Sequence, residues 1–524
     1  MRLLFAALIA LLPAAARADF YPYVQDGPVI TGVTDHDAWV AWYTGHHQGT
    51  GTQCTIDQDT PYLGNHNTDI PTLTLAPAGS ASTYTDANCD RYHKVHLTGL
   101  LPSTTYTIGL DKKWDAEGGA AVAGSFTTAP AAGSHAAFQF VVYGDTRNNE
   151  LVLGANTKAD HQAVVDAILA HEQAAAFLLN TGDLALNLQL VSGDDRGYSE
   201  FFSVERQLLA NKPIFTVLGN HETIDTTYFD SMFDTARFNG EAHPYFSSMN
   251  WGRVHVALLD AFEGTPATGG LAGRNPGVSA TQVQWLDADL QAALAAGNTS
   301  FVAVHQGAYS HAVSGVGHGG LGLVEQNINP LMIRYGVQAS FAGHDHYYER
   351  GHEGCIDYLV VGGGGAPTYA PDPAAAGVAK ALQLHSYVVV SVAADGSASM
   401  VAKDTQGNLI DSFAFAVPDG APCGLVGSDG GTDAGTDAGV VADAGSDAGS
   451  SADGGTGSDA GTGSDAGIAG GHDAGTTPDG GDPLGALAGS GCGCAGGGAS
   501  PLDGLTALLA LGWLRRARAE RGRG

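Results

Sequence analysis

The chain has 524 residues, which at about 150 residues per domain predicts roughly three units rather than one. Its hydrophobic fraction of 44% is sufficient for a buried core, so a wholly disordered protein is excluded. Asp and Glu number 54 against 23 Lys and Arg, and the net charge of −31 argues against a general nucleic-acid-binding protein, which needs a basic surface to contact phosphates.

The first 18 residues have the pattern of a secretory signal peptide. Arg2 is followed by an apolar run from Leu3 to Ala15, and Ala16-Arg17-Ala18 has the small-x-small form of a cleavage site. We therefore predict that residues 1–18 direct export of the protein.

Residues 25–128 predict a small all-β domain. Short runs of alternating polarity at Ala38–Tyr43, His93–Leu97 and Thr105–Gly109 are separated by turn-forming residues. This spacing is typical of a β-sandwich. No group of side chains in this region has the composition of a catalytic site.

Export makes disulfide bonds possible. Four cysteines lie outside the C-terminal tail. We predict a bridge between Cys54 and Cys89 inside the first domain and a second between Cys355 and Cys423. The sequence alone does not fix this connectivity.

Residues 135–417 predict a domain of the α/β type. Apolar, β-branched runs alternate with helical stretches at Asp160–Gln173, Ser199–Ala210 and Ser279–Ala296. The third helix opens with the capping-box pattern Ser279-x-x-Gln282. Its apolar face is expected to comprise Val283, Leu286, Leu290 and Leu294.

Five predicted strands in this region each end at a potential metal ligand. Ligands bind at the carboxyl ends of strands in open α/β sheets, so these side chains are expected to converge. Oxygen and imidazole donors without thiolates suit Fe, Mn or Zn, and the set is sufficient for two ions about 3.5–4 Å apart. The predicted ligands are Asp145, Asp183, Asn220, His305, His344 and His346.

Residues 425–490 predict a disordered tether. They repeat Asp-Ala-Gly units and carry a charge of −11 without any Lys or Arg. Such a segment has too few large apolar residues to offset the entropy lost on ordering, and its charges repel one another.

Residues 491–524 predict a sorting or anchor tail. Cys492 and Cys494 precede a short apolar stretch, Leu505–Leu514, and five arginines follow between Arg515 and Arg523. This order resembles the myxobacterial C-terminal sorting signal. The resemblance implies processing near Cys492 and attachment to the cell surface or outer membrane. A plain membrane anchor is the alternative.

The central region resembles a known enzyme family. The blocks GDTR, GDLAL, GNHE, VAVHQGAY and GHDHYYER are similar, in order, to those of calcineurin-like metallophosphoesterases. The HxxxY block His305–Tyr309, the GHxHxYER block Gly343–Arg350 and a preceding segment similar to fibronectin type III domains point to the purple acid phosphatase branch. The resemblance implies an α/β (α+β) layered β-sheet sandwich flanked by helices, preceded by an all-β fibronectin-like sandwich.

The resemblance also implies roles for the matched residues. Asp183 would bridge two metal ions. Asp145 and His346 would complete one site, and Asn220, His305 and His344 the other. His221 would contact the substrate and donate a proton, or else orient Asn220. His311 and His318 are possible substrate contacts or ordinary loop residues, and Glu222 is expected to support the ligands.

Two departures from the family pattern affect the metal site of Asp145 and His346, called the first site. Arg147 stands where ordinary members have a histidine ligand, and Leu186 stands where purple members have a tyrosine. Guanidinium has no acceptor, so Arg147 cannot ligate a metal, but it could bind substrate phosphate. Asn148, Asn187 or water could fill the gap.

These patterns together predict an exported, surface-attached hydrolase that cleaves phosphate monoesters with metal-activated hydroxide. Its substrate would be a small phosphate ester. The alternatives are a phosphodiesterase or nucleotidase using the same centre, and a non-catalytic surface adhesin whose metal domain has decayed. The sequence leaves the oligomeric state open.

Overall fold

The computed structural model describes residues 23–45, 73–76, 80–85, 92–110, 122–147, 157–187, 197–233, 245–267, 273–314 and 316–415. The predicted signal peptide, tether and tail lie outside these residues, as do Cys54, Cys89 and Cys423. Cys355 is disulfide-bonded, and the pairing of the cysteines stays a prediction. Within the described residues, no helix is long and apolar enough to span a membrane.

The described part of the N-terminal region contains seven strands in two antiparallel sheets. One sheet has the order β1-β2-β5-β4 and the other β3-β6-β7. The strands are β1 Tyr23–Thr31, β2 Ala38–Gly45, β3 Leu73–Ala76, β4 Ser80–Thr85, β5 Tyr92–Thr98, β6 Thr105–Leu110 and β7 Val122–Thr127.

Both sheets contribute side chains to one hydrophobic cluster. Val40 and Trp42 come from the four-stranded sheet, and Tyr106 and Phe126 from the three-stranded sheet. The Tyr106 hydroxyl accepts a hydrogen bond from the N–H of Leu101 at 2.9 Å, which fixes the corner before β6. The strands thus form the sandwich that the alternation predicts, while its fibronectin-like identity stays a prediction.

Two larger sheets and several helices follow in the described residues. The strands are β8 Phe138–Tyr143, β9 Ala175–Asn180, β10 Ile214–Thr216, β11 Ser247–Trp251, β12 Val254–Leu259, β13 Thr299–Val304, β14 Ala339–Ala342, β15 Tyr348–Glu353, β16 Ile356–Val361, β17 Val378–Leu382, β18 Ser386–Val392, β19 Ala398–Asp404 and β20 Leu409–Ala414. The helices are α1 Thr157–His171, α2 Tyr198–Leu209, α3 Thr227–Met232, α4 Ala280–Ala295, α5 Gly322–Asn327 and α6 Asn329–Arg334.

The two larger sheets pack face to face with helices on their outer faces. Sheet 1 has the order β10-β9-β8-β18-β19-β20 and sheet 2 the order β11-β12-β13-β14-β16-β15-β17. Phe140 and Phe177 of sheet 1 share a core with Phe301 and Phe341 of sheet 2. Helices α1 and α2 cover sheet 1, and α4 and α6 cover sheet 2. This confirms the predicted α/β arrangement of layered sheets flanked by helices.

The N-terminal sandwich packs against the β10 edge of sheet 1 and the end of α2. The Thr31 hydroxyl donates to the carbonyl of Ile214 at 2.7 Å, and the N–H of Ser125 donates to the carbonyl of Ala210 at 2.9 Å. These hydrogen bonds join the two regions into one folded body.

The predicted helices occur within three residues of their expected bounds, with one error on the α4 face. Ser279 caps this helix, since its hydroxyl accepts from the N–H of Gln282 at 3.1 Å. Leu286 and Leu290 are buried, but Leu294 is 52% exposed because the last turn of the helix extends beyond the sheet 2 core. The Gln282 side chain bonds to the backbone of Asp260 at the end of β12 instead of closing the capping box.

Candidate metal centre

The six predicted ligands all follow strands whose carboxyl ends meet at one edge of the two sheets. Strands β8, β9 and β10 are parallel in sheet 1, and β13 and β14 are parallel in sheet 2. Parallel strands deliver the residues that follow them to the same side. The structure therefore brings all six predicted ligands together.

One group of donor atoms surrounds Asn220. His305 Nε2 lies 3.2 Å and His344 Nδ1 lies 3.1 Å from Asn220 Oδ1. His305 Nε2 also lies 3.3 Å from Asp183 Oδ1. We call these four residues, Asp183, Asn220, His305 and His344, the four-donor position.

A second group comprises Asp145, Asp183 and His346. One donor atom from each of these buried side chains lies within 4.8 Å of the others. His346 Nε2 is 3.6 Å from Asp145 Oδ1. We call this group the three-donor position. Asp183 belongs to both groups, which is the arrangement that a bridging carboxylate requires.

Hydrogen bonds to backbone carbonyls orient the imidazoles. His305 Nδ1 lies 2.6 Å from the carbonyl of Thr181, and His346 Nδ1 lies 2.8 Å from the carbonyl of Pro367. A carbonyl can only accept, so each Nδ1 carries a proton, and Nε2 is left as the ring atom that could bind a metal. Metal-binding histidines are typically held in this way.

Three ligands have backbone conformations that are rare for residues other than glycine. The φ angles of Asp145, Asp183 and His344 are 57°, 55° and 70°, each costing about 1–3 kcal/mol. The N–H of His344 donates to the Asp145 carboxylate at 3.0 Å, which stabilises two of these turns together. A Cβ at Gly343 would collide with the same carboxylate, so this turn requires glycine.

Glu222 stabilises the backbone of the loops that carry the ligands, in line with the supporting role expected from sequence. Its fully buried carboxylate accepts hydrogen bonds from the N–H groups of Asp183, Leu184 and Gly219, each at 2.9 Å. It therefore joins the loops that follow β9 and β10. Burial and the Asp183 charge raise the pKa of Glu222 to about 7.

The electrostatics of the centre favour bound positive charge. Burial, more than any other cause, raises the pKa of Asp145 well above its usual value, and the nearby Asp183 carboxylate adds to this. Although burial acts in the opposite direction, these two carboxylates raise the pKa of His305 to about 9. The donors thus fit a cation, which would stabilise both carboxylates in their ionised form.

His221 and Arg147 lie beside the ligands. His221 Nε2 is 3.9 Å from Asp183 Oδ2, and its Nδ1 is 2.7 Å from the carbonyl of Leu186. Burial and the Arg147 charge lower the pKa of His221 to about 4. Arg147 Nε is 3.3 Å from Asp183 Oδ2. Both side chains are nine-tenths buried or more.

Two carboxylates hold His311, and its predicted role as a substrate contact stays a prediction. His311 Nδ1 lies 2.8 Å from Glu349 and its Nε2 lies 3.4 Å from Glu353. Glu349 is fully buried and also accepts from the Tyr358 hydroxyl at 2.9 Å. These carboxylates hold the ring, and within the described residues His311 forms no hydrogen bond or ion pair with a candidate ligand.

The role of Asn187 at the site of Asp145 and His346 stays a prediction. Its amide nitrogen donates to the carbonyls of His221 at 2.6 Å and Asp225 at 3.0 Å, so it fixes the loop after β10. Asn148, the other residue considered for the gap in the first site, lies outside the described residues.

Three side chains near the centre were given no role by sequence reasoning. Tyr369 stacks on His346 with ring centroids 4.3 Å apart, and Phe262 lies 5.9 Å from the ring of His305. Asp345 accepts from the N–H groups of His318 and Gly319 at 2.7 and 3.0 Å. The Asp345 bonds set the His318 ring 4.1 Å from that of His344. No sequence pattern marks Tyr369 or Phe262, whereas Asp345 lies inside the GHxHxYER block Gly343–Arg350.

Residues 138–348 match the family described as Calcineurin-like phosphoesterase. This part of the chain is a calcineurin-like metallophosphoesterase domain. The match covers every predicted ligand and both residues that contact them, His221 and Arg147.

The chain also resembles individual proteins. The chain is 26% identical over 206 residues to tartrate-resistant acid phosphatase type 5 of Mus musculus, a match that covers 36% of this chain and 61% of that protein. The structure of the purple acid phosphatase PPD1 from yellow lupin (Lupinus luteus) aligns with a TM-score of 0.54 and 16% identity, covering 75% of this chain and 74% of that one. A structure of PhoD aligns with a TM-score of 0.46 and 10% identity over 76% of this chain and 90% of that one.

Proposed function

We propose that this protein is a metal-dependent phosphoesterase that hydrolyses phosphate monoesters. The observation that carries this proposal is the convergence of six oxygen and imidazole donors from five strand ends, with Asp183 shared between two groups. Such donors suit Fe, Mn or Zn. The family match and the acid phosphatase similarity support the same class of reaction.

Bound metal ions would supply positive charge to the phosphate oxygens and lower the pKa of water. The two-ion centre implied by the sequence needs both positions filled. The four-donor position offers the larger set of ligands, and Asn220 is its half-buried member.

The chain's own side chains are suited to hold the phosphate group. Arg147 Nε makes no hydrogen bond within the described residues, although the side chain is only 8% exposed. An oxygen of the substrate phosphate would satisfy this buried donor. His221 faces the same centre through Nε2, and we propose it as a second substrate contact.

In the loop after β13, we favour His318 as the substrate contact. Asp345 pins this loop, since it accepts hydrogen bonds from Ser310 at 2.6 Å and from the N–H of His318 at 2.7 Å. The half-buried His318 ring therefore lies over His344. Tyr369, stacked on His346, forms the neighbouring wall.

Hydrolysis of two aryl phosphates by the purified chain tests this proposal. We expect p-nitrophenyl phosphate to be cleaved faster than bis(p-nitrophenyl) phosphate, with activity lost to a chelator and restored by Fe, Mn or Zn. Faster cleavage of the diester would favour the phosphodiesterase alternative. A metal-loaded protein that cleaves neither compound would instead support the alternative of a non-catalytic surface adhesin.

We also propose that the enzyme is exported and attached to the cell surface. This part of the proposal is supported by the sequence patterns of residues 1–18 and 491–524 alone.

A further inference from the structure

Arg147 lies against the donor atoms of the three-donor position. It follows Asp145 by two residues, and its own N–H donates to the carbonyl of Asp183 at 3.1 Å. Its side chain therefore starts between the two carboxylates. Its Nε lies 3.3 Å from Asp183 Oδ2, and its Nη2 lies 3.4 Å from His346 Nε2.

These two contacts involve two of the three ligands that a metal ion would use there. A guanidinium group carries a fixed positive charge and has no lone pair to offer, so it competes for the donors without adding one. A divalent ion bound to the same atoms would also lie close to this charge in a buried environment, where repulsion between cations is poorly screened.

The four-donor position differs in both respects. It has four ligands, and within the described residues no Arg or Lys forms an ion pair or hydrogen bond with its Asn220, His305 or His344 donors. The Asp183 carboxylate presents Oδ1 to this position and Oδ2 to Arg147. Its two oxygens thus face two different sources of positive charge.

We infer that the Arg147 guanidinium takes the place of one metal ion, so that the chain binds a single ion tightly, at Asp183, Asn220, His305 and His344. The buried Arg147 Nε–H, which forms an ion pair with Asp183 but no hydrogen bond among the described residues, would then be available to the phosphate group that a second ion would otherwise contact. This inference rests on the proposed phosphoesterase function and specifies that one metal ion and one guanidinium supply the positive charge of its centre.

Metal stoichiometry of the full chain tests the inference. The protein is stripped with a chelator, reloaded with Mn²⁺, freed of excess metal by gel filtration, and its metal content is measured by mass spectrometry. We expect one Mn²⁺ per chain for the wild type and two for Arg147→His, because the substitution removes the charge and adds a ligand. Electron paramagnetic resonance should show an isolated Mn²⁺ in the wild type and a coupled pair in the variant.

Two further variants keep the test decisive. Arg147→Gln removes the charge without adding an imidazole, and it should bind a second Mn²⁺ at least about tenfold more tightly than the wild type. Arg334→His adds a histidine at an exposed site in α6 and should remain at one ion per chain. Two tightly bound ions in the wild type, or a single ion in both Arg147 variants, would overturn the inference.

Hydrolysis of p-nitrophenyl phosphate by the same samples separates this inference from the proposed function. Two ions with hydrolysis in the wild type would remove the inference and leave the function standing. One ion without hydrolysis would remove the function and leave the inference standing.

Discussion

Asp183 is the residue on which both groups of donors depend. Its Oδ1 lies 3.3 Å from His305 and its Oδ2 lies 3.3 Å from Arg147. Although burial alone would raise it, the positive charges of His305, His221 and Arg147 hold the pKa of Asp183 well below its usual value. The carboxylate is therefore ionised at neutral pH, as a metal ligand must be.

We expect Asp183→Ala to abolish hydrolysis and lower the metal content. The substitution removes a ligand from both positions, and a fall of about a thousandfold or more in kcat/KM would correspond to about 4 kcal/mol. Aryl phosphate assays and metal analysis measure the two effects. Asp395→Ala, at an exposed turn, is the control and should behave like the wild type. Normal activity in Asp183→Ala would remove this site from consideration.

Glu222→Gln tests the support behind the ligands. The carboxylate accepts three backbone hydrogen bonds, and a glutamine would direct an N–H₂ group at one of those donors. Leaving buried donors unpaired costs about 1–3 kcal/mol each, so we expect the free energy of unfolding to fall by about 2–4 kcal/mol. Chemical denaturation measures this, with Glu200→Gln on α2 as the control. Equal stability of the variant and the wild type would contradict the support role.

The elements around the centre are joined where β12 ends and α4 begins. Gln282 of α4 accepts from the N–H of Asp260 and donates to its carbonyl, both at 2.8 Å. The Asp260 carboxylate accepts from the N–H of Phe262 at 2.7 Å, which positions Phe262 beside His305. Arg274 lies 3.5 Å from the same carboxylate. This junction therefore fixes one wall of the centre.

The stability of this junction should depend on pH. Burial raises the pKa of Asp260 to about 7, against about 3.9 in an unfolded chain. Between these values the folded state binds the extra proton, so the free energy of unfolding falls as pH rises from about 4 to 7. Asp260→Asn carries no titrating proton. Relative to the wild type, the variant should therefore gain up to about 4 kcal/mol in free energy of unfolding as the pH rises across this range.

Denaturant titrations of both metal-free proteins at several pH values measure this shift. Asp395→Asn provides the control, because Asp395 is exposed and its stability difference should change little. Parallel curves for wild type and Asp260→Asn would show that Asp260 does not titrate in this interval.

On the scale of the whole molecule, the candidate ligands and the supporting Glu222 could be predicted from sequence, whereas the aromatic side chains around them could not. The ligands directly follow strands, and parallel pairing carries every such residue to one edge, so position along the chain determines position in space. Tyr369 reaches His346 from a loop after β16, and no local pattern encodes the path of that loop. The orientation of His311 is likewise not encoded locally, because Glu349 on β15 holds its ring.

The C-terminal segments define the last prediction. The described fold ends at Phe415, which is 5% exposed and packs in the core between the two sheets, while β20 is paired with β19. A chain ending at residue 424 therefore keeps every described element. We expect this truncation to retain wild-type kcat and KM while moving the protein from the cell surface to the medium, since it lacks the tether and the predicted sorting tail.

Phosphatase activity in washed cells and in the medium, for the full-length and truncated chains expressed at equal levels, measures this redistribution. The composition of residues 425–490 supports the prediction, because a charge of −11 without Lys or Arg and few large apolar residues leave little surface to bury against the enzyme. A variant with the tether intact but residues 491–524 removed is the matched control, and it should be released as completely as the shorter chain. Retention of either truncated protein on washed cells would place the attachment in another part of the chain. A loss of turnover in the shorter chain alone would show that the tether contributes to the active enzyme.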